Sequence, residues 1–128
     1  MKHHLKLSLF ISIISLTVKA QEVIKEKADS VVQTIFTTYY AKKFDGRKTT
    51  SGERYRSKLY TAAHRPLPFG TIVRVKNLVN GKIVNVCIND RGPFSKKFSL
   101  DISQIAAKDL GIYRLGYARV EISYPKSN

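Results

Sequence analysis

The distribution of apolar and polar positions changes character twice along this chain. Leu7 to Val18 (LSLFISIISLTV) is an apolar run behind the basic start Met1-Lys-His-His-Leu-Lys6, and Val18-Lys19-Ala20 closes it with small residues. That layout is the one of a secretory signal peptide over residues 1–20. Twelve helical residues rise about 18 Å, short of the roughly 30 Å hydrocarbon core, so a permanent span is not predicted. Residues 21–36 contain three of the nine acids and no Gly or Pro, and read as a polar, partly helical lead. From residue 37 to 124 the pattern becomes that of a β domain, and 125–128 form a tail. All seven glycines and all four prolines fall between Gly46 and Pro125, as turn punctuation. Thr71–Asn77 and Lys82–Ile88 alternate branched apolar with polar residues, and Asn80-Gly81 between them is a strong hairpin signal. Thr37–Ala41, Lys58–Ala63 and Tyr117–Ser123 are further β-rich runs. Ser103 is a natural N-cap for Gln104–Leu110, with Gly111 at the left-handed stop. Five or six short strands with one or two short helices predict a mainly β domain. A barrel is favoured over a sandwich, because closure removes exposed edges.

Composition narrows the chemistry. The 128 residues include 43% apolar and 25% charged residues, as in an ordinary globular protein, but 23 basic residues against nine acids give +14. Loss of residues 1–20 removes three lysines, leaving 20 basic and nine acidic residues, or +11. An exported protein this basic faces anionic partners outside the cytoplasm, and nucleic acid fits the charge but not the compartment. The lone Cys87 excludes an internal disulfide, reads as a small buried residue, and leaves too little for a Cys-rich metal site. No phosphate-binding glycine loop is present, so neither a metal nor a cofactor is expected. Candidate chemistry therefore rests on carboxylates and on His64, the one histidine beyond position 20. Asp109, Glu121 and Asp45 read as solvated or turn residues, which leaves Glu53, Asp90 and Asp101. Asp90 follows a strand whose apolar residues share one face. Desolvation there raises a carboxyl's pKa and makes it a general acid, whereas the adjacent Arg91 would lower it; the sequence leaves both open. An Asx-turn over Asn89-Asp-Arg-Gly-Pro is the plainer alternative.

Asn89-Asp-Arg-Gly-Pro-Phe94, followed by Leu100-Asp-Ile-Ser103 and Ala106-Ala107, resembles the core of the rare lipoprotein A family of septal lytic transglycosylases. Tyr39-Tyr40 stands at that family's aromatic pair. Phe44-Asp-Gly-Arg-Lys-Thr-Thr-Ser-Gly-Glu53, Leu59-Tyr-Thr-Ala-Ala-His64, Val73–Asn77 and Asn80-Gly81 continue in the same order. The likeness covers Tyr39 to Ile122. It implies a six-stranded double-psi β-barrel and cleavage of peptidoglycan glycan strands between N-acetylmuramic acid and N-acetylglucosamine without water, leaving 1,6-anhydro ends.

The same resemblance implies roles. Asp90 is the expected acid and base, and Glu53 and His64 complete a catalytic set lining one open groove. Asp101, Tyr40, Arg91, Asn89 and Thr49 are the expected substrate-binding residues, although Asp101 on local grounds also serves the helix start. Arg56 stands where the family commonly has an acid. With no Cys after the apolar run, the expectation is a periplasmic or secreted monomer without a stable membrane anchor. The competing expectation is a non-catalytic, expansin-like wall-binding module.

Overall fold

The structure, a computed structural model, describes residues 2–127, with side chains from Leu9 onward. The chain divides into two compact units, residues 1–30 with 125–128, and residues 31–124. In the first, helix α1 (Lys2–Ala28) leaves Leu9, Phe10, Ile11 and Leu16 exposed. Among the described residues no helix is long and apolar enough to cross a membrane. Lys25 and Lys27 lie in its last turn, where cations complement the helix dipole. The tail returns to this end, Lys126 donating its amide to Asp29 O and its ammonium to Ala28 O.

Strand β1 (Ser30–Tyr39) begins well ahead of Thr37. The stretch predicted as a lead is therefore shared between the end of α1 and this strand. Val31, Val32, Thr34 and Ile35 are β-branched, and that stiffness favours extension once the helix has ended. A 3₁₀ turn (Lys42–Phe44) follows, then β2 (Thr61–His64), β3 (Ile72–Asn77), β4 (Ile83–Asp90), β5 (Leu100–Ile102), α2 (Gln104–Leu110) and β6 (Ala118–Pro125). The strands close into a barrel in the order β1-β5-β2-β4-β3-β6. Strands β1 and β5, and β2 and β4, are parallel, whereas β2–β5, β3–β4 and β3–β6 are antiparallel. The mixed six-stranded barrel is the fold the sequence implies.

Alternation puts Val73, Val75, Val84, Val86 and Ile88 inside, against Leu100, Ile102, Val120 and Ile122. Helix α2 adds Ala106, Ala107 and Leu110 to that core. Ser103 caps its start, accepting the Ala106 amide. At its end, Asn77 and Asn80 both donate side-chain amides to Leu110 O, at 3.0 and 3.1 Å. Gly111, at φ 77°, leaves room for that: a Cβ there would lie 2.8 Å from Asn80 Nδ2.

One irregularity aims the site. Ala62 pairs with Ile88, but Ala63 pairs with Asp90, so β4 carries one extra residue. Strict alternation would send Asp90 inward after Val84, Val86 and Ile88. The bulge inverts that phase and turns the carboxylate out of the barrel.

Candidate active site

Outside the barrel wall, a second apolar cluster forms from Tyr40, Tyr55 and Ala63, with Phe44 packed on it. Tyr40 stacks on Tyr55 at 4.3 Å and 20°, and meets Phe44 edge-on. Gln104 at the start of α2 fixes both tyrosines, donating its side-chain amide to Tyr40 O and its backbone amide to Tyr55 Oη, each at 3.2 Å. These rings, with Asp90, Thr49, Arg47 and Lys48, line a cleft of about 250 Å³.

Asp90 is the one acid of that lining. Its Oδ2 accepts the Tyr40 phenol at 2.5 Å, and its Oδ1 accepts the amides of Thr50 and Arg91, each at 2.9 Å. Burial is the largest single influence and pushes the carboxyl up, but the hydrogen bonds from Tyr40, Thr50 and Arg91 together outweigh it. Asp90 thus titrates below the usual carboxylate range. Of the two directions the sequence leaves open, the structure supports the downward one. The Arg91 guanidinium is not the cause, because it faces elsewhere. Its Nη1 donates to His64 O at 3.1 Å and Leu67 O at 2.7 Å, and the group lies 3.9 Å from the Phe69 ring centre. Burial and the neighbouring Asp90 push the Tyr40 phenol far above its ordinary range, so it acts only as a donor.

Asp101 stands next to this group. Ala63 pairs with Asp90 on one side and Asp101 on the other, so one alanine separates the two carboxyl positions across the sheet. Asp101 Oδ1 is buried without a hydrogen-bond partner. Burial, then the charge of Asp90, pushes its pKa up to about 7. The two carboxyls are therefore shifted in opposite directions, the outer one ionising first and the inner one keeping its proton to higher pH.

The remaining expected residues take other positions. Thr49 lines the cleft, its hydroxyl donating to Glu53 O at 2.7 Å. Glu53 is exposed on the turn of the 48–54 hairpin, where its backbone closes the loop, and it does not line the cleft. His64 is buried, and its Nδ1 accepts the Leu67 amide at 3.3 Å. Burial and the positive charges of Arg65 and Arg91 lower its pKa and keep the ring neutral. The cleft thus unites Asp90 with Tyr40 and Thr49, while Glu53 and His64 support its surroundings. Asn89 is buried at the bulge, its carbonyl accepting the Ser51 amide at 3.3 Å and so holding the hairpin to β4. Arg91 holds the 64–67 loop.

Sequence reasoning passed over Thr50, Tyr55, Arg47 and Lys48 as site residues. Tyr55 carried a signal, an aromatic between two arginines in an otherwise polar run. The contact of Thr50 is through its amide, which side-chain identity does not reveal.

A family model described as lytic transglycolase matches residues 32–122. The probable endolytic peptidoglycan transglycosylase RlpA of Treponema pallidum is 52% identical over 87 residues, covering 68% of this chain and 27% of that protein. The endolytic peptidoglycan transglycosylases RlpA of Haemophilus influenzae and Neisseria meningitidis serogroup A are 48% and 45% identical. They cover 75% and 77% of this chain, and 33% and 41% of those proteins. The matched region is thus less than half the length of these relatives. Among solved structures, Streptomyces papain inhibitor superposes with a TM-score of 0.62 at 21% identity, covering 75% of this chain and 96% of that one. A mutant Clavibacter michiganensis expansin in complex with cellohexaose gives 0.60 at 15% identity, covering 77% and 52%. Those two likenesses are of fold alone.

Proposed function

The chain belongs to the lytic transglycolase family, and from that premise we propose that it is an exported peptidoglycan lytic transglycosylase. It cleaves the bond between N-acetylmuramic acid and N-acetylglucosamine to leave 1,6-anhydromuramyl ends. The observation that carries this reading is the half-buried Asp90 at the cleft, held by the Tyr40 phenol and two backbone amides and neighboured by a second carboxyl whose pKa is raised to about 7. A sugar seated over the cleft strips water from Asp90 and raises its pKa, so that Asp90 takes up a proton before the bond breaks. Asp90 then protonates the bridging oxygen as the bond from C1 to that oxygen breaks. Its carboxylate next takes the proton of the muramyl 6-hydroxyl as O6 bonds to C1, which restores the protonated acid without consuming water. Tyr40 keeps the carboxylate oriented through both steps. Glu53 and His64 act around this centre, Glu53 by closing the hairpin and His64 by holding the adjoining loop. Residues 1–20, with their exposed apolar run, direct export to the periplasm or beyond, and the protein works there as a monomer on glycan strands.

Digestion of purified sacculi, native and amidase-treated, tests the reading. The wild type is expected to release anhydromuramyl ends, and Asp90→Asn to reduce their rate by about 10²- to 10⁴-fold, the range for a lost general acid. Wild type that pellets with sacculi yet releases nothing overturns it in favour of an expansin-like binding module.

A further inference from the structure

A patch on the barrel wall outside the cleft carries apolar and cationic groups that the bond-breaking steps do not use. On β1, Thr37 is buried, so alternation turns Phe36 outward, four residues or about 13 Å of strand before Tyr40. Ser99 donates its amide to Phe36 O at 3.1 Å, and Thr38 donates its hydroxyl to Gly116 O at 2.9 Å. These bonds bring the 92–99 loop and the 111–117 turn against β1. The Tyr117 ring centre lies 6.5 Å from that of Phe36 and 5.9 Å from that of Phe98. The Lys97 ammonium rests on this trio, 4.1 Å from the centre of Tyr117, 5.4 Å from Phe98 and 5.7 Å from Phe36. Leu115 projects from a turn closed by its own amide and that of Gly116 on Ile112 O. It is 73% exposed, with Tyr117 at 45% and Phe36 at 37%. Lys96 and Arg114 are exposed in the same two segments. Residues 31–40, 92–99 and 111–120 contain no Asp or Glu, and Glu121, farther along β6, stands opposite Lys76.

Projecting apolar groups among cations, with no acid between them, complement a surface that is negative outside and apolar beneath. A sugar can stack on the flat of a ring, but it offers the aliphatic Leu115 nothing to bury against, whereas acyl chains do. The Lys97 stem lies along the rings, which keeps its ammonium level with lipid phosphates while the rings sit lower. We propose that this face docks the protein reversibly on an anionic phospholipid bilayer, with Leu115 and Tyr117 at the boundary of headgroups and acyl chains and Lys96, Lys97 and Arg114 on the phosphates. The contact is independent of the transglycosylase reading and adds a second surface to a protein that works on the wall.

The test is cosedimentation of the exported protein with vesicles of phosphatidylcholine alone and of phosphatidylcholine with phosphatidylglycerol in equal parts. Any contribution from residues 1–20 is common to every form, so the ratios between forms read the patch. The wild type is expected to bind the mixed vesicles at least about tenfold more tightly than the neutral ones, a preference that shrinks as salt rises. Lys96→Gln with Arg114→Gln should weaken binding to the mixed vesicles about 25-fold, at about fivefold for each charge. Leu115→Ser should weaken it about tenfold by removing the inserted aliphatic group. All three positions are exposed, so the variants should unfold at the wild-type denaturant midpoint, and that measurement separates lost docking from lost folding. Equal wild-type affinity for the two vesicles, absence of binding to either, or folded variants that bind the mixed vesicles as the wild type does overturns the proposal. Variants that lose retention on lipid-free sacculi but not on vesicles overturn it in favour of a glycan-binding face.

Discussion

At the scale of single residues, the site is organised by two neighbouring aspartates whose pKa values are shifted in opposite directions. Tyr40, Thr50 and Arg91 hold Asp90 ionised through hydrogen bonds, whereas Asp101 has burial and a neighbouring negative charge and is pushed up to about 7. Tyr40→Phe removes the shortest of those hydrogen bonds. The Asp90 pKa then rises, so the alkaline limb of the kcat/KM profile, which reports loss of the general-acid proton, should move to higher pH, with a rate loss of about tenfold. An unmoved limb would mean that Tyr40 does not tune Asp90. Asp101 has the opposite sign in stability. An acid with a raised folded-state pKa stabilises fully below its unfolded value near 3.9, and that contribution is lost as pH rises through about 7. Asp101→Asn removes the dependence, so melting temperatures measured from pH 4 to 8 should shift progressively in favour of the variant up to about pH 7 and then run parallel. Curves parallel throughout would contradict the assignment. Asp90 and its aromatic partner were legible as residues in the sequence. The direction of the Asp90 shift was not, because it depends on two backbone amides and on where the Arg91 guanidinium goes.

At the scale of elements, turn and cap chemistry placed the β3–β4 hairpin, the Ser103 cap and the Gly111 stop, since each is a local rule written in adjacent residues. Two features escaped. Strand β5 is three residues long and gains its identity from pairing with both β1 and β2, a relation no local pattern contains. The bulge at Asn89 reverses the alternation of β4, and only the register against β2 reveals it. The double use of Asn80, closing a hairpin and capping α2, makes Gly111 sensitive on two counts. Gly111→Ala imposes a left-handed φ on a residue with a Cβ and drives that Cβ toward Asn80 Nδ2. A loss of roughly 1–3 kcal/mol in denaturant unfolding is the expected result. A loss below a few tenths would show that the helix end relaxes freely. Ser103→Ala at the other end should cost about 1 kcal/mol by the same measurement, with an unchanged midpoint contradicting the cap.

At the scale of the whole molecule, the fold was legible because several short signals agreed on a closed β architecture, and the family resemblance covered most of residues 31–124. The joint groove for Asp90, Glu53 and His64 was not legible as built. Order along the chain does not say that the glutamate sits on an exposed turn and the histidine behind a loop. The net charge, +14 for the whole chain and +11 without residues 1–20, adds a long-range attraction to the local chemistry. Retention of the protein on sacculi should weaken steadily as salt rises and the Debye length shrinks from about 10 Å at 0.1 M. Retention independent of salt would leave the charge without a role in wall attachment. The most direct test of the central claim is digestion of stripped glycan in ¹⁸O-labelled water, with released ends read by mass spectrometry. The account predicts anhydromuramyl ends without label, made by the wild type and lost in Asp90→Asn. Reducing muramic acid ends that carry ¹⁸O would contradict it, because water would then have taken the place given to the muramyl 6-hydroxyl.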